Sequence, residues 1–359
     1  MKQSNSERTG ERRVIGLDVS DRKTEVCELG MESGDVLDRW RVETTPDRIA
    51  AAFEDRQDIE RIALEVGKQS PWLSRLLKGL GFTVSVANAR KVRLIYQNRR
   101  KSDRVDAEYL ARLARVDVEL LHPLEHRSRS AQVDLSIVRA REVLVRSRTQ
   151  LINHVRGAVK SLGSKISKGP SRSFARRAKN EVPRDLQPSL LPVLQTIQDL
   201  SDRIDGYDRQ IEERIRTEYQ ECELLRQVRG VGPITALAYR LVIDDPKRFA
   251  RSRTVGAYLG LVPGQNESGD SAPELHITKA GDALLRRLLI QAAQHILGPF
   301  GEDCDLRRHG EKIAARGGKK AKRMAVVAVA RKLAVLLHRL WIAGEVYDPL
   351  RVARQQQAA

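Results

Sequence analysis

The chain has 359 residues, too many for one compact core, so two or three domains are expected. Its 65 Lys and Arg against 47 Asp and Glu leave a net charge of +18, and 41% of the residues are hydrophobic. That apolar share excludes a wholly disordered protein, while the charge points to a polyanion as partner, nucleic acid before an anionic membrane surface. No run of about eighteen apolar residues is present and no secretory pattern opens the sequence, so no membrane role is expected. Cys27, Cys222 and Cys304 stand far apart without paired-ligand spacing, which suits a reducing cytoplasm and argues against a disulfide framework or a zinc site.

Residues 1–13 are polar, mixed in charge and read as a flexible tail. Val14 to Val19 is a short apolar run with an acid, Asp18, near its end, as in a central strand. Thr24 to Leu29 and Val36 to Val42 flank the turn cluster Glu32-Ser33-Gly34-Asp35 and predict a hairpin. A helix follows Pro46, a second apolar strand runs from Arg61 to Val66 with Glu65 near its end, and a helix covers Pro71 to Leu80. Phe82 to Ala87 alternates as a strand, and Ala89 to Tyr96 reads as another helix. Lys101-Ser102-Asp103-Arg104-Val105-Asp106 then opens a helical run through Tyr109, Leu110, Leu113 and Ala114. Three strands followed by strands alternating with helices predict an α/β domain with a mixed sheet over 14–123.

After Pro123 the pattern changes. From Ile137, apolar residues recur at Leu144, Leu151 and Ala158, with Val155 and Leu162 four residues after the last two. A second heptad series runs Leu190, Ile197, Ile204 and Ile211, beyond a Gly/Ser/Pro-containing stretch at 163–188. The two predict an antiparallel coiled coil, or a dimerising arm, over 124–224. Between Arg139 and Lys179 stand twelve Lys or Arg, among them Arg146, Arg148, Arg156 and Lys160, against one acid, Glu142. Charged helix faces usually mix signs, so a one-sided run of this length predicts contact with a phosphate backbone.

Leu225 to Ala236 holds Gly230-Val231-Gly232 between two helical stretches, like a helix-hairpin-helix. Such glycines let the backbone approach a phosphate, although a plain helix-helix connection accounts for them equally well. Tyr258-Leu259-Gly260-Leu261-Val262-Pro263 leads into a polar loop, 264–273, and helical periodicity returns from Asp282 to Ile296, carrying Arg286 and Arg287. A basic turn, Arg316-Gly317-Gly318-Lys319-Lys320, precedes a last helix from Met324 to Trp341. This mostly helical domain spans 225–345, with a tail at 346–359.

The candidate chemistry lies in the acids. Asp103 and Asp106 are three apart and share a helix face. Two carboxylates so close call for a cation between them: a divalent metal, or the neighbouring Lys101 and Arg104. A capped first helical turn accounts for the same pair. Asp18 and Glu65, each near the end of an apolar strand, raise the set to four oxygen donors suited to Mg²⁺ or Mn²⁺. Such a site in a basic protein fits phosphodiester processing. Ser268 sits in a Gly-flanked polar loop with no adjacent histidine, and spacing alone leaves it an ordinary loop serine. No Gly-rich nucleotide loop with Lys-Ser/Thr is present, so ATP-driven chemistry is not expected.

These residues, in this order, resemble the insertion-sequence "one-ten" family of DEDD transposases, which includes the pilin-gene invertase and the bridge-RNA-guided recombinases. The resemblance rests on Ile15 to Val19, the Glu65 strand and Lys101 to Ala107, then Leu225 to Thr235, Tyr258 to Pro263, Ser268-Gly269 and Gly281 to Leu289, and covers about residues 14–345. It implies a ribonuclease-H-like, Holliday-junction-resolvase-like first domain in which Asp18, Glu65, Asp103 and Asp106 hold Mg²⁺. It implies that Ser268 is a nucleophile forming a phosphoserine link to DNA, that the two parts of the site meet across subunits of a dimer or tetramer, and that a structured noncoding RNA pairs with donor and target DNA. Lys101, Arg104, Arg146, Arg148, Arg156, Lys160, Gly230, Gly232, Arg286, Arg287, Lys319 and Lys320 would contact nucleic acid. The sequence departs from the family pattern at Glu267, where a serine is usual, and at Asp270; Ser271 is the alternative nucleophile. Two competing functions stand beside this one. One is a metal-dependent hydrolase of branched DNA that uses water; the other is a non-enzymatic nucleic-acid-binding relative.

Overall fold

A computed structural model describes residues 11–92, 103–265, 275–352 and 354, and these form two units, 1–126 and 127–359. In the first unit, β1 (Arg13–Val19), β2 (Lys23–Gly30), β3 (Val36–Glu43), β4 (Ile59–Glu65) and β5 (Val84–Ala87) make one sheet in the order β3-β2-β1-β4-β5. β1, β2 and β3 pair antiparallel through the expected hairpin, and β4 and β5 join parallel, so the sheet is mixed and β1 is central. Side chains alternate between the two faces of a strand. Ile15, Leu17, Ile62 and Leu64 therefore pack with Phe53 of α1 (Pro46–Phe53) and with Leu73 and Leu77 of α2 (Ser70–Gly79). Val14 and Ala63, on the other face, meet Leu110 and Ala114 of α3 (Asp103–Val116).

Sequence and structure differ in detail at the edges of this unit. Arg13 belongs to β1, and Glu11 accepts the Glu32 and Ser33 amides at 3.0 and 2.6 Å, so residues 11–13 are tied down rather than tail. Of the expected Ala89–Tyr96 helix, residues 89–92 are described and form a turn, and 93–96 lie outside the described residues. Inside the sheet, Glu28 is fully buried and holds Arg13 at 2.6 Å, Trp40 Nε1 at 2.5 Å and Arg56. Burial pushes its carboxyl up, but the hydrogen bonds from Trp40, Arg13 and Arg56 outweigh this and hold it below the usual range.

The second unit begins with two long helices, α4 (Arg129–Ser161) and, beyond the short α5 (Phe174–Glu181), α6 (Gln187–Thr217). Their polar pairs run in opposite order: Asp134 with Arg214 at 2.7 Å, Arg141 with Asp208 at 2.5 Å, Arg148 with Ser201 at 3.2 Å. Each seven-residue step along α4 is matched by a six- or seven-residue step back along α6, which makes the pair antiparallel. The buried positions on α6 include Leu190, Ile197, Ile204 and Ile211, the expected heptad series. In the second half of α4 the buried residues are Ile152, Val155 and Val159, whereas Leu151 and Ala158 are half-buried and Leu162 is exposed. Val155 is buried as expected, while Ile152 and Val159 take the places expected of Leu151 and Ala158, where α5 packs Phe174 and Ala178 against this stretch.

The rest of the unit is helical: α7 (Cys222–Arg226), α8 (Pro233–Ile243), α9 (Thr254–Tyr258), α10 (Ala283–Leu297), α11 (Asp305–Ala314) and α12 (Gly318–Ala343). One core joins them to the base of α4 and the end of α6, within the unit 127–359. At its centre Tyr239 is fully buried and donates to the Ala334 carbonyl at 2.6 Å. α12 starts at Gly318, six residues before the expected Met324, so Lys319 and Lys320 stand in its first turn. The segment after 345 is also held: the Tyr347 amide donates to Gln227 and the Asp305 amide to the Pro349 carbonyl, both at 2.8 Å. Cys27, Cys222 and Cys304 are buried free thiols, and no described helix is long and apolar enough to cross a membrane.

Candidate functional site

The acidic edge is built by one close approach. A Cβ on Gly16 would lie 1.9 Å from the Ala107 carbonyl oxygen and 2.7 Å from the Ala111 nitrogen, so α3 lies directly on β1 only because residue 16 is glycine. Gly16 and Asp18 share the face of β1 toward α3, as Ala63 and Glu65 do on β4, where Leu17 pairs with Leu64. The direction of α3 follows from its far end, where Arg115 donates to the Met31 and Glu32 carbonyls at 2.9 Å, beside the start of β1. Its first turn therefore lies at the end of β1 that bears Asp18. Asp106 is 5% exposed, Asp103 and Arg104 are exposed, and Asp18 and Glu65 are half-buried.

All four carboxylates thus belong to one edge and one face, and oxygen donors of this kind match Mg²⁺ or Mn²⁺ in chemistry. Among the described residues, however, no group of three or more His, Cys, Asp or Glu stands close enough to enclose a metal ion. The donor set thus fits a divalent cation in the kind of its groups. Lys101 lies outside the described residues.

The basic arm is less one-sided in space than in sequence. Arg141 and Arg172 pair with Asp208 and Asp205 of α6, and Arg156 lies over the Phe174 ring at 5.2 Å. Arg148 is half-buried, and burial together with Arg141 pulls its guanidinium pKa down. Arg146 and Lys160 are exposed. α6 thereby neutralises part of the run, which spacing along α4 alone does not reveal.

Ser268 and its neighbours Glu267, Asp270 and Ser271 lie outside the described residues, but the stems of their loop are well defined. The Gly264 amide donates to the His276 carbonyl and the Thr278 amide to the Val262 carbonyl, each at 2.9 Å. Below this bridge Arg286 Nη1 donates to the Leu259 carbonyl at 3.1 Å and to the Ala280 carbonyl at 2.6 Å, clasping both stems. Asp282 caps α10 through the Leu285 amide and takes Arg139 at 2.8 Å. Burial pushes its carboxyl up, but the Leu285 amide, then Arg139 and Arg127, bring it below the ordinary value. Arg287 pairs with Glu142 at 2.6 Å. The sequence allows Arg286 and Arg287 either to neutralise a phosphate or to cap a helical surface, and in the structure both contact protein groups. Asp282, Arg127 and Arg139 were missed.

At the glycine turn, Gly230 has φ +91° and its Cβ position would meet the Ala292 carbonyl at 3.1 Å, so packing on α10 accounts for it. Gly232 precedes α8 with open space beside it, leaving the α8 N-terminus accessible. Lys319 and Lys320 are exposed.

Two family profiles match the chain. One, described as a transposase and titled for the DEDD type of IS110, covers residues 15–163, the sheet unit and α4; the other, the transposase IS116/IS110/IS902 family, covers residues 222–302, with the loop stems and α10. The transposase for insertion sequence element IS1111A of Coxiella burnetii is 27% identical over 345 residues, covering 93% of this chain and 91% of that protein. The protein y4pF/y4sB of Sinorhizobium fredii is 30% identical over 292 residues, 80% of this chain and 74% of that one. The transposase for insertion sequence element IS1328 of Yersinia enterocolitica is 27% identical over 237 residues, 65% and 70% of the two chains. The chain belongs to the IS110 family of insertion-sequence transposases. A transposase domain of the DEDD type implies dependence on a divalent metal.

Proposed function

We propose that this transposase cuts and rejoins donor and target DNA through a two-part site. Asp18, Glu65, Asp103 and Asp106 hold Mg²⁺ or Mn²⁺, and Ser268 is the nucleophile. Subunits of an oligomer bring the two parts together, and a structured noncoding RNA selects the DNA by pairing. The observation that carries this reading is the approach of Ala107 to Gly16, which supports a shared role for four carboxylates on one edge.

A divalent ion bound there would supply positive charge to the phosphate oxygens. The Ser268 oxygen attacks phosphorus, the bond from phosphorus to one DNA oxygen breaks, and that oxygen takes up a proton. In the second half a hydroxyl of the other DNA end attacks the same phosphorus, the serine-phosphorus bond breaks, and the serine recovers its proton. The phosphodiester energy is conserved in the protein link, so strand exchange needs no ATP. Delegating sequence choice to RNA pairing suits a basic protein that reads shape and phosphate.

The test incubates the protein with Mg²⁺, the RNA flanking its gene and end-labelled branched DNA, then follows label on the denatured protein. An adduct that disappears in Ser268→Ala supports the reading. Cleavage that persists in Ser268→Ala without an adduct would replace it with hydrolysis by water.

A further inference from the structure

A groove of about 1010 Å³ runs along α12 in the second unit. Its floor is the outward stripe Val327, Ala328, Val335 and Leu336, apolar side chains left half-exposed. One wall is formed by Pro263, Leu275 and Ile277, from the two stems of the Ser268 loop, and the opposite wall by Tyr347 and Pro349.

Its cations set it apart. Several arginines elsewhere in this unit are paired: Arg141 with Asp208, Arg226 with Glu212 and Glu223, Arg240 with Glu221, Arg307 with Glu311. In the groove, Arg253, Arg323, Arg331, Lys332 and Arg339 have no ion-pair partner among the described residues. Two acids also line it: Asp305 accepts the Val352 amide at 2.7 Å, and Asp348 holds Arg354. Arg323 to Arg339 spans sixteen residues of one helix, about 24 Å at 1.5 Å per residue.

We propose that this groove binds a single strand of nucleic acid, several nucleotides long, laid along α12 beside the serine loop. Four cations without an ion-pair partner over about 24 Å of α12, with Arg253 beside them in the groove, outnumber the two lining acids and call for a string of negative charges rather than one anion. A duplex would bring phosphates to the cations but leave the apolar stripe wet, because its bases are stacked inside. A single strand offers both surfaces: phosphates toward the arginines and base faces toward the floor, with Arg331 able to stack as well as pair. The proposal builds on the transposase reading by naming which form of nucleic acid meets this face, and it does not need Ser268 to be the nucleophile.

The experiment measures anisotropy of labelled mixed-sequence oligonucleotides of about 20 nucleotides, single-stranded and duplex, on the full chain at several salt concentrations. With Arg331→Gln and Arg339→Gln combined, single-strand affinity falls about tenfold. The slope of log affinity against log salt shrinks by about 1.4, two contacts at about 0.7 each. Duplex affinity changes less than twofold, and Arg331→Lys with Arg339→Lys keeps most of the salt slope. Unchanged single-strand binding in a folded double-Gln variant overturns the proposal, as does an equal loss for both probes. Loss of self-association without loss of single-strand binding also overturns it and assigns the face to a protein contact. Because the readout is binding, its failure is distinct from failure to form a serine adduct.

Discussion

Gly16 lies so close to α3 that any side chain there would strike the Ala107 carbonyl. The obstacle is backbone on both sides, so it cannot rotate away. Gly16→Ala is expected to lose about 2–3 kcal/mol of stability, in the range of overpacked cores. Because α3 carries Asp103 and Asp106, DNA cleavage should fall further than the folded fraction does. Thermal unfolding and a cleavage assay on the folded protein separate the two. A variant that is destabilised but fully active per folded molecule would break the link between Gly16 and the acidic edge.

Arg286 is a positioning residue for the serine loop. Arg286→Ala leaves the Leu259 and Ala280 carbonyls without their donor and should slow adduct formation about 10- to 100-fold, roughly 1.4–2.7 kcal/mol on the barrier. DNA affinity should stay within about twofold. Arg286→Lys, which keeps one donor, should recover part of the rate. A loss of affinity at unchanged rate would make Arg286 a phosphate ligand instead.

Glu28 joins Arg13, Arg56 and Trp40 under the sheet. Glu28→Gln removes the charge and strands two guanidinium groups, with an expected loss of about 3 kcal/mol, the lower end for broken buried pairs because both arginines are partly solvated. Its carboxyl is held low in the folded protein, so the stabilisation is present above the ordinary value of 4.5 and is lost as pH falls below it. Acid unfolding curves of wild type and Glu28→Gln should therefore converge at low pH.

His338 works in the opposite range. It is fully buried, with Ser252 Oγ at 2.9 Å from Nδ1 and the Pro246 carbonyl at 2.9 Å from Nε2. Burial pulls its pKa down, against the Pro246 carbonyl, which pushes it up. The unfolded chain then binds the extra proton first, so stability is complete above the ordinary value of 6.5 and declines as pH drops through it. The melting temperature of the second unit should fall with acidification through that window, and less so in His338→Gln. Parallel pH profiles would remove His338 as the cause.

The sheet was legible because its signals are local. Val14 to Val19 is an apolar run, Glu32-Ser33-Gly34-Asp35 is a turn, and parallel strands β4 and β5 each sit beside a helix with a clear stop. The acids were legible as a set for the same reason: Asp18 and Glu65 end strands, and Asp103 and Asp106 open a helix. What spacing cannot give is which neighbours cancel. Leu151 and Ile152 are both good core residues, and only α5 decides that Ile152 is inside. The charge run from Arg139 to Lys179 looked unopposed because its acidic partners lie on another helix: Asp208, 67 residues beyond Arg141, and Asp205, 33 beyond Arg172. Arg286 reads as a surface cation until the two carbonyls it clasps are seen. The groove cations read as ordinary helix surface, since nothing in the sequence shows that they have no ion-pair partner among the described residues.

The acidic edge is the centre of the account, and metal binding tests it most directly. Mn²⁺ titrated into the folded protein, followed by the loss of its free spin-resonance signal, should saturate one site class that each of Asp18→Asn, Glu65→Gln and Asp106→Asn weakens at least about tenfold, the effect of losing a single ligand charge. Equal Mn²⁺ affinity in wild type and all three variants, each with an unchanged melting temperature, would show that the four carboxylates share an edge without sharing a metal.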